Sequence, residues 1–474
     1  FGSIWVMLTV VGVYRTARLV FPGLRQVGLL AAALVGLNPR FLVHAGTMTN
    51  DVLLAALAAW VIYFAVAILR WGPSWRRSVA LGILLGLAAL TKASGAMMLS
   101  LVGLALADWT WRNRAGRRGL AHAFVIGALL AVIAGWWYVG NLVRYGSPGL
   151  MPLFTRETGL REGWPPYLVI PEIGNFLRSY WAASGYCELR LGLYPVYVAI
   201  SLVGLVGVIY GVRRAPVDVR RAAMLLAVWI GTTFAAWLRF NAVVWAPEGR
   251  YWFQAHAAIA PLLAAGLLYL FGRWPSVWRT LVAALGILAI GTSVEILAPL
   301  FSPPPRQAVD DVAASHLLEA DFGDQVALVG YDVEQDSLRA GDSVDLTLFL
   351  TAQHPVTESL MLGLQLESAG PTDDALLVNF RSWPGGGNYP TTAWQPGEAV
   401  VDRYRLQLPG DVSELQLWNL NLIFLDPQPQ PGDGGRLPVR INGATEGSHV
   451  TLARLRVEPD SDPSPPEDAV YSAP

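Results

Sequence analysis

A single cysteine, Cys187, among 474 residues excludes an internal disulfide framework and any CxxC metal or redox pair. Lysine is nearly absent: Lys92 is the only one, and every other basic side chain is an arginine. Charged residues make up 15% of the chain, well below the roughly 25% of ordinary soluble proteins. No P-loop, HExxH or GxSxG pattern occurs, so the motif-borne NTPase, zinc-protease and serine-hydrolase chemistries are not indicated. No clear internal repeat is present. The basic residues lie in short loops rather than in a stripe, which excludes nucleic acid as a partner. What fills the chain is apolar: 54% hydrophobic residues and a mean hydropathy of +0.42. That excludes a disordered or collagen-like chain.

The formal net charge of −1 hides two unlike halves. Residues 1–300 carry 25 Lys+Arg against 9 Asp+Glu, and residues 301–474 carry 9 against 26. In the first half, ten apolar stretches approach the roughly 17–25 residues that cross a bilayer: 3–20, 26–45, 51–69, 78–91, 94–110, 121–143, 194–212, 222–243, 253–272 and 279–299. Arginines follow every second stretch, at 25, then 70, 76 and 77, then 112, 114, 117 and 118, then 213, 214, 220 and 221, then 273 and 279. The positive-inside rule puts those five loops in the cytoplasm and everything after Phe301 outside it. The chain begins at Phe1 inside an apolar run and is read as a fragment, with an outward span expected upstream.

The second half changes period. VALVGYDV, SVDLTLFLTA, LMLGLQLES, ALLVNFRSW, AVVDRYRLQLP, ELQLWNLNLIFL, LPVRING and HVTLARLRVEP are strand-like runs separated by Gly, Pro, Asp and Asn. About eight strands imply an antiparallel β-sandwich. The expected organisation is therefore a polytopic all-α membrane domain at 1–300, a linker with a short helix at 301–324, a sandwich at 325–459, and an acidic, Pro/Ser-rich disordered tail at 460–474.

Polar side chains at membrane depth are costly and are functional by default. Asp51 stands where TMTND enters the third stretch; helix capping is its simplest role, although Thr or Asn would serve as well. Lys92, in ALTKASG, suits a phosphate partner or a snorkelling role. Glu248, Arg250 and Tyr251 cluster in PEGRYW, and Asn141, Arg144 and Tyr145 close the sixth stretch. All collect on the outer side. A transporter would place polar groups near the midplane on broken helices. The loop 144–193 is longer than a connection needs. Its Trp164, Tyr167, Tyr180, Trp181 and Tyr186 read either as an interfacial aromatic belt or as a sugar platform, and PEIGNFLRSYWAAS reads as an amphipathic segment lying on the membrane. In the second half, Trp383, Tyr389 and Trp394 beside Gly385–Gly387 read as a sandwich corner or as a sugar-stacking surface.

The runs LNPRFLVHAGTMTNDVLLAAL, GILLGLAALTKASG, GWWYVGNLVRYGSPG and EGRYWFQAHAAIAPLLAAGL, in this order and on one side, resemble bacterial membrane glycosyltransferases of the GT-C class. The nearest in kind are the protein O-mannosyltransferase-like (family 39) and aminoarabinose-transferase-like enzymes. YWAASGYCELRLGLYPVY resembles a loosely related uncharacterised bacterial membrane family, and PGGGNYPTTAWQPGEAVVDRYRLQLP resembles a β-sandwich appended to such proteins. The resemblance implies an enzyme of the cytoplasmic membrane that moves a sugar from a polyprenyl-phosphate donor to an extracytoplasmic protein, lipid or glycan with inversion. It implies Lys92, Arg250 and Tyr251 as donor-phosphate contacts and Glu248, Asn141, Arg144 and Tyr145 on the acceptor or sugar side. Asp51 then supports, because the family's catalytic acid lies in a loop upstream of Phe1. No cofactor is assigned, and a divalent metal stays open. The competing readings are a non-catalytic membrane protein with a surface-binding sandwich and a lipid-sugar transporter.

Overall fold

The computed structural model describes residues 2–47, 49–158, 160–161, 163–181, 183–184, 187–188, 194–292, 294, 298, 302–333, 337–369, 376–408, 412, 415–427, 435–441, 443–445 and 447–459. The chain divides into a helical unit, residues 1–299, and a second unit that begins at residue 300.

The helical unit contains α1 (Gly2–Val20), α2 (Val27–Gly36), α3 (Pro39–Gly46), α4 (Asn50–Trp71), α5 (Trp75–Thr91), α6 (Met98–Arg112), α7 (Gly116–Leu130), α8 (Trp136–Tyr145), α9 (Met151–Thr158), α10 (Pro166–Trp181), α11 (Tyr194–Arg214), α12 (Val217–Asn241), α13 (His256–Phe271) and α14 (Pro275–Thr292). A two-residue ladder pairs β1 (Ala183–Ser184) with β2 (Cys187–Glu188). Among the described residues, eight helical stretches are long and apolar enough to cross a membrane. α7 and α8 make one of them, a 30-residue rod joined through a π-helical turn at Ala131–Gly135. The protein is a multi-span membrane protein.

The ten expected spans are corrected in two places. Residues 26–45 do not form one straight rod: α2 and α3 meet at 55° and make a ninth crossing only if the bent pair is one span. The break is written at Asn38–Pro39, since a proline cannot donate to the preceding turn and the Asn38 side chain accepts from Phe41 N, capping α3. The fourth stretch lies in α5, whose 17 residues stand at the lower limit of a crossing and which is not among the eight.

Small residues let the rods approach, as they do where lipid offers no hydrophobic drive between helices. On α11 and α13, Gly207 and Gly266 face each other so closely that a Cβ on Gly207 would lie 2.1 Å from the Gly266 carbonyl oxygen. Large apolar side chains point outward, among them Met7, Phe124, Val132 and Ile287, as a lipid-facing surface requires.

The second unit is a two-sheet β domain. Its strands are β3 (Arg306–Ala308), β4 (His316–Phe322), β5 (Val326–Val333), β6 (Ser337–Arg339), β7 (Ser343–Ala352), β8 (Met361–Ser368), β9 (Leu376–Ser382), β10 (Glu398–Gln407), β11 (Gln416–Leu425), β12 (Val439–Ile441), β13 (Ala444–Thr445) and β14 (Val450–Glu458). One sheet runs β13-β12-β4-β5-β7-β10-β3 and the other β6-β14-β11-β8-β9. All pairs are antiparallel except β14 with β6. The core holds Phe322, Phe424 and Trp418, all fully buried. The eight strand-like runs are all present as strands, but the linker at 301–324 is corrected: it supplies β3 and β4, with only a single 3-10 turn at Val309–Asp311. Tyr389 and Trp394 are buried in this core, and the Trp394 indole donates to the Tyr389 carbonyl at 3.3 Å. They form a corner rather than an open stacking surface. The expected tail, 460–474, lies outside the described residues.

Candidate functional site

One cavity of about 330 Å³ gathers residues from α4, α9 and α12, from the α5–α6 turn and from the turn before α13. Asp51 enters it from the first turn of α4 and Lys92 from the end of α5. Met97 precedes α6, Met151 opens α9, and Thr233, Trp237 and Phe240 come from α12. Arg250 and Tyr251 come from the tight turn before α13.

Asp51 is not the cap of α4. Thr49 occupies that position without a side-chain cap bond, and Asp51 instead accepts from Lys92 Nζ at 2.6 Å. The Asp51 side chain is 6% exposed and that of Lys92 26%. The ammonium therefore does not snorkel away from the protein; it also stands 4.9 Å from the Tyr251 ring centre, a cation–π distance. Arg250 lies over the same ring at 5.5 Å and pairs with Glu248 at 2.9 Å. Glu248 Oε2 is shared, because Arg40, almost wholly buried in α3, reaches it at 2.8 Å. Among the described residues, three cations thus face two carboxylates, beside the apolar wall of the cavity.

The segment carrying Glu248 and Arg250 is held from behind by α10. Gly249 N donates to Ser179 Oγ at 2.7 Å, and Asn175 Nδ2 reaches the Pro247 carbonyl at 3.4 Å. A Cβ on Gly249 would lie 2.2 Å from Tyr180 N and 2.4 Å from the Phe176 carbonyl oxygen, so only glycine lets the turn sit this close. One step further out, Glu172 of α10 takes both terminal nitrogens of Arg161 at 2.8 and 2.9 Å and the Asn241 amide at 2.6 Å. Asn241 in turn accepts from Ala246 N at 2.8 Å. The Arg161 and Glu172 side chains are both more than nine-tenths buried. This network ties the long loop to the end of α12 and to the turn that bears the site.

Of the residues expected from the sequence, Asp51, Lys92, Arg250 and Tyr251 line the cavity, and Glu248 braces it. Asn141, Arg144 and Tyr145 on α8 do not line it. Asn141 is buried, with its amide directed to the Pro148 carbonyl at 3.4 Å, and Tyr145 is exposed. The aromatic platform on the long loop is corrected as well. Tyr180 is buried with its hydroxyl 2.8 Å from His256 Nδ1, Trp181 stacks on Tyr197, and Trp164 lies over Arg161. Among the described members Tyr167 is the exposed one; Tyr186 lies outside them. The segment PEIGNFLRSYWAAS supplies the later part of α10, up to Trp181, and presses Phe176 and Tyr180 onto the protein, while Leu177 remains exposed. Sequence reasoning missed Arg40 and Gln254. An arginine in the outer loop NPRF, against the side preference of its kind, was the available signal for the first. Among the described residues no three His, Cys, Asp or Glu side chains converge as a metal would need.

Residues 1–138 match the family described as dolichyl-phosphate-mannose-protein mannosyltransferase. The matched stretch covers the first part of the helical unit. The match includes Arg40, Asp51 and Lys92 and ends before Glu248, Arg250 and Tyr251. No curated protein matches the chain. Among solved structures, ArnT from Cupriavidus metallidurans in the apo state is 20% identical over 62% of this chain and 50% of its own, with a TM-score of 0.38. The chain thus spans half the length of that protein. The Archaeoglobus fulgidus oligosaccharyltransferase, in complex with Zn and sulfate, is 17% identical over 62% of this chain and 40% of its own, with a TM-score of 0.33.

Proposed function

We propose that the chain is the membrane part of a glycosyltransferase that takes a sugar from a polyprenyl-phosphate donor and passes it, with inversion, to an extracytoplasmic acceptor. The observation that carries this reading is the cavity at which three cations face two carboxylates, in a unit whose first part matches the mannosyltransferase family. A lipid phosphate is the anion such a pocket fits: its charge answers Lys92 and Arg250, and its tail suits the apolar wall of Met97, Met151 and Phe240. The alternating arginine loops support a position of this cavity, and of the β domain that follows in sequence, on the side away from the cytoplasm.

In the reaction the acceptor oxygen forms a bond to the anomeric carbon while the bond from that carbon to the phosphate oxygen breaks. The lipid phosphate leaves with the electron pair, and the proton of the acceptor hydroxyl is released to solvent. Lys92 and Arg250 stand where that charge grows, and the Tyr251 hydroxyl is a further donor. Asp51 is assigned to holding Lys92 in place rather than to taking the acceptor proton. Glu248, shared between Arg40 and Arg250, fixes the guanidinium direction.

The test is sugar transfer, and donor binding, by the full chain in lipid nanodiscs. Lys92→Ala and Arg250→Ala each abolish transfer and weaken binding of polyprenyl phosphate, while the protein stays folded. Full transfer by both variants removes the assignment.

A further inference from the structure

At the opposite end of the helical unit, some 19 residues along α4 from Asp51 and therefore about 28 Å away, lies a second polar cavity, of about 470 Å³. Its wall includes Tyr14, Arg15 and Arg18 of α1 and Tyr63, Arg70 and Trp71 of α4. Spacing explains the convergence: Arg15 and Arg18 stand three apart and Tyr14 and Arg18 four apart, on one helix face, and both helices end here. We infer that this cavity binds the phosphate headgroup of an anionic membrane phospholipid.

No carboxylate lines the cavity, and among the described residues Arg15, Arg18 and Arg70 make no ion pair. The acid on the neighbouring helix end, Asp108, is taken by Arg112 at 2.7 Å. The arginines at these helix ends also serve exposed carbonyls, which is the ordinary role of a basic side chain there. Arg18 Nη1 donates to the Arg25 carbonyl at 2.9 Å, and Arg70 Nη1 donates to that of Leu19. Each bond uses one of the five N–H groups a guanidinium carries. Arg15 lies 5.5 Å from the Trp60 ring centre. The three groups are thus held in place without being neutralised. Gly28, at the start of α2, sharpens this hold: a Cβ there would lie 2.7 Å from the Tyr14 ring and 2.8 Å from Arg18 Cγ.

Three like charges around one cavity repel one another until an anion enters. Guanidinium and phenol donors in a common wall suit the several acceptor oxygens of a phosphate. The surroundings favour a lipid as its source. Leu19, Pro22 and the exposed Trp71 form the apolar side of the cavity at the end of the membrane-crossing helices, where a headgroup lies with its chains running back along the helices.

The experiment is competition binding to the full chain in neutral detergent micelles, with a fluorescent phosphatidylglycerol as the probe. Phosphatidylglycerol displaces the probe about tenfold better than phosphatidylcholine, and millimolar inorganic phosphate does not displace it. Arg15→Gln, which removes no hydrogen bond among the described residues, weakens the probe about threefold. Arg15→Gln with Arg70→Gln erases the preference for the anionic lipid. The control Arg117→Gln with Arg118→Gln removes the same charge from another arginine loop on this side and leaves the preference intact. Three results overturn the inference: equal displacement by the two lipids, an equal loss in the control, which would make the effect diffuse surface charge, and ready displacement by inorganic phosphate, which would make the ligand a soluble ion.

Discussion

Replacing Asp51 by asparagine separates the two roles a buried ion pair can have at this site. The Asp51–Lys92 contact of 2.6 Å either serves the fold or holds an ammonium ready for an anion, and the two single substitutions differ in sign. Lys92→Met leaves a carboxylate that is 6% exposed without its cation. Removing one partner of a buried pair costs about 3–5 kcal/mol; the partial exposure of Lys92 puts the expected loss at the lower end, about 3 kcal/mol. Asp51→Asn leaves a lysine that still touches the Tyr251 ring and reaches solvent, so the expected loss is about 1 kcal/mol. The double variant Asp51→Asn with Lys92→Met recovers most of the stability.

Anion binding runs the other way. A phosphate on Lys92 would stand roughly 6 Å from the Asp51 carboxylate, and at an effective dielectric near 20 their repulsion is at most about 3 kcal/mol. Allowing for solvent, Asp51→Asn gains about 1–2 kcal/mol in polyprenyl-phosphate affinity, or roughly five- to thirtyfold, while Lys92→Met loses binding. Thermal unfolding in detergent and equilibrium binding of polyprenyl phosphate without its sugar are the two assays. An Asp51→Asn protein that stays folded but binds the lipid phosphate more weakly than the parent refutes the reasoning, because the positioning of Lys92 by Asp51 would then outweigh the repulsion between the two anions.

Gly249→Ala drives a methyl into the backbone of α10 and is expected to cost about 1–3 kcal/mol, seen as a lowered melting temperature with weakened lipid-phosphate binding. Glu172→Gln leaves Arg161 buried without its acid, for a loss of about 3–5 kcal/mol. Raising the salt concentration leaves that difference unchanged, since a buried pair is poorly screened. In the β domain, Asp402 is buried with its carboxylate on Gly385 N at 2.8 Å and on the Tyr404 hydroxyl, and burial holds its pKa above the usual value. Its folded value is thus higher than the unfolded one, so its stabilising share is complete below about pH 4 and is lost as pH rises through the folded value. Calorimetry of the full chain across that interval shows the parent falling in stability relative to Asp402→Asn, and parallel curves would deny the shift.

The helical unit was legible because two independent signals agree in it. Apolar length marks the rods, and arginine alternation marks which ends lie together, so the convergence of Asp51, Lys92, Arg250 and Tyr251 on one side followed from counting crossings. The bend at Asn38–Pro39 was written in residues but hidden from a hydropathy window, which averages over the break. In the β domain the period-two runs became strands. β4 escaped because the register shift between Leu317 and Ala320 interrupts alternation in HLLEADF, and β3, β6 and β13 are too short to show a period at all.

What stayed hidden in the site has a common cause. A scarce charge announces itself, but its partner is set by tertiary contact: Arg40 and Glu248 are 208 residues apart, and no local pattern joins them. Amphipathicity has the same limit. PEIGNFLRSYWAAS declares that one face is apolar without saying what covers it, and in the fold Phe176 and Tyr180 are covered by the Gly249 turn and by α12 and α13. That pairing changes what the long outer loop is for. A segment whose Ser179 receives the Gly249 amide, and whose Glu172 is locked to Arg161 and Asn241, cannot swing freely as a lid from its α10 part without breaking a buried ion pair. The long loop therefore acts through α10 as the rigid back wall of the Glu248–Arg250 turn. Among the described residues, α9 and the α5–α6 turn, which carry Met151 and Lys92 on the cavity wall, make no hydrogen bond to Glu172, Asn241 or Ser179.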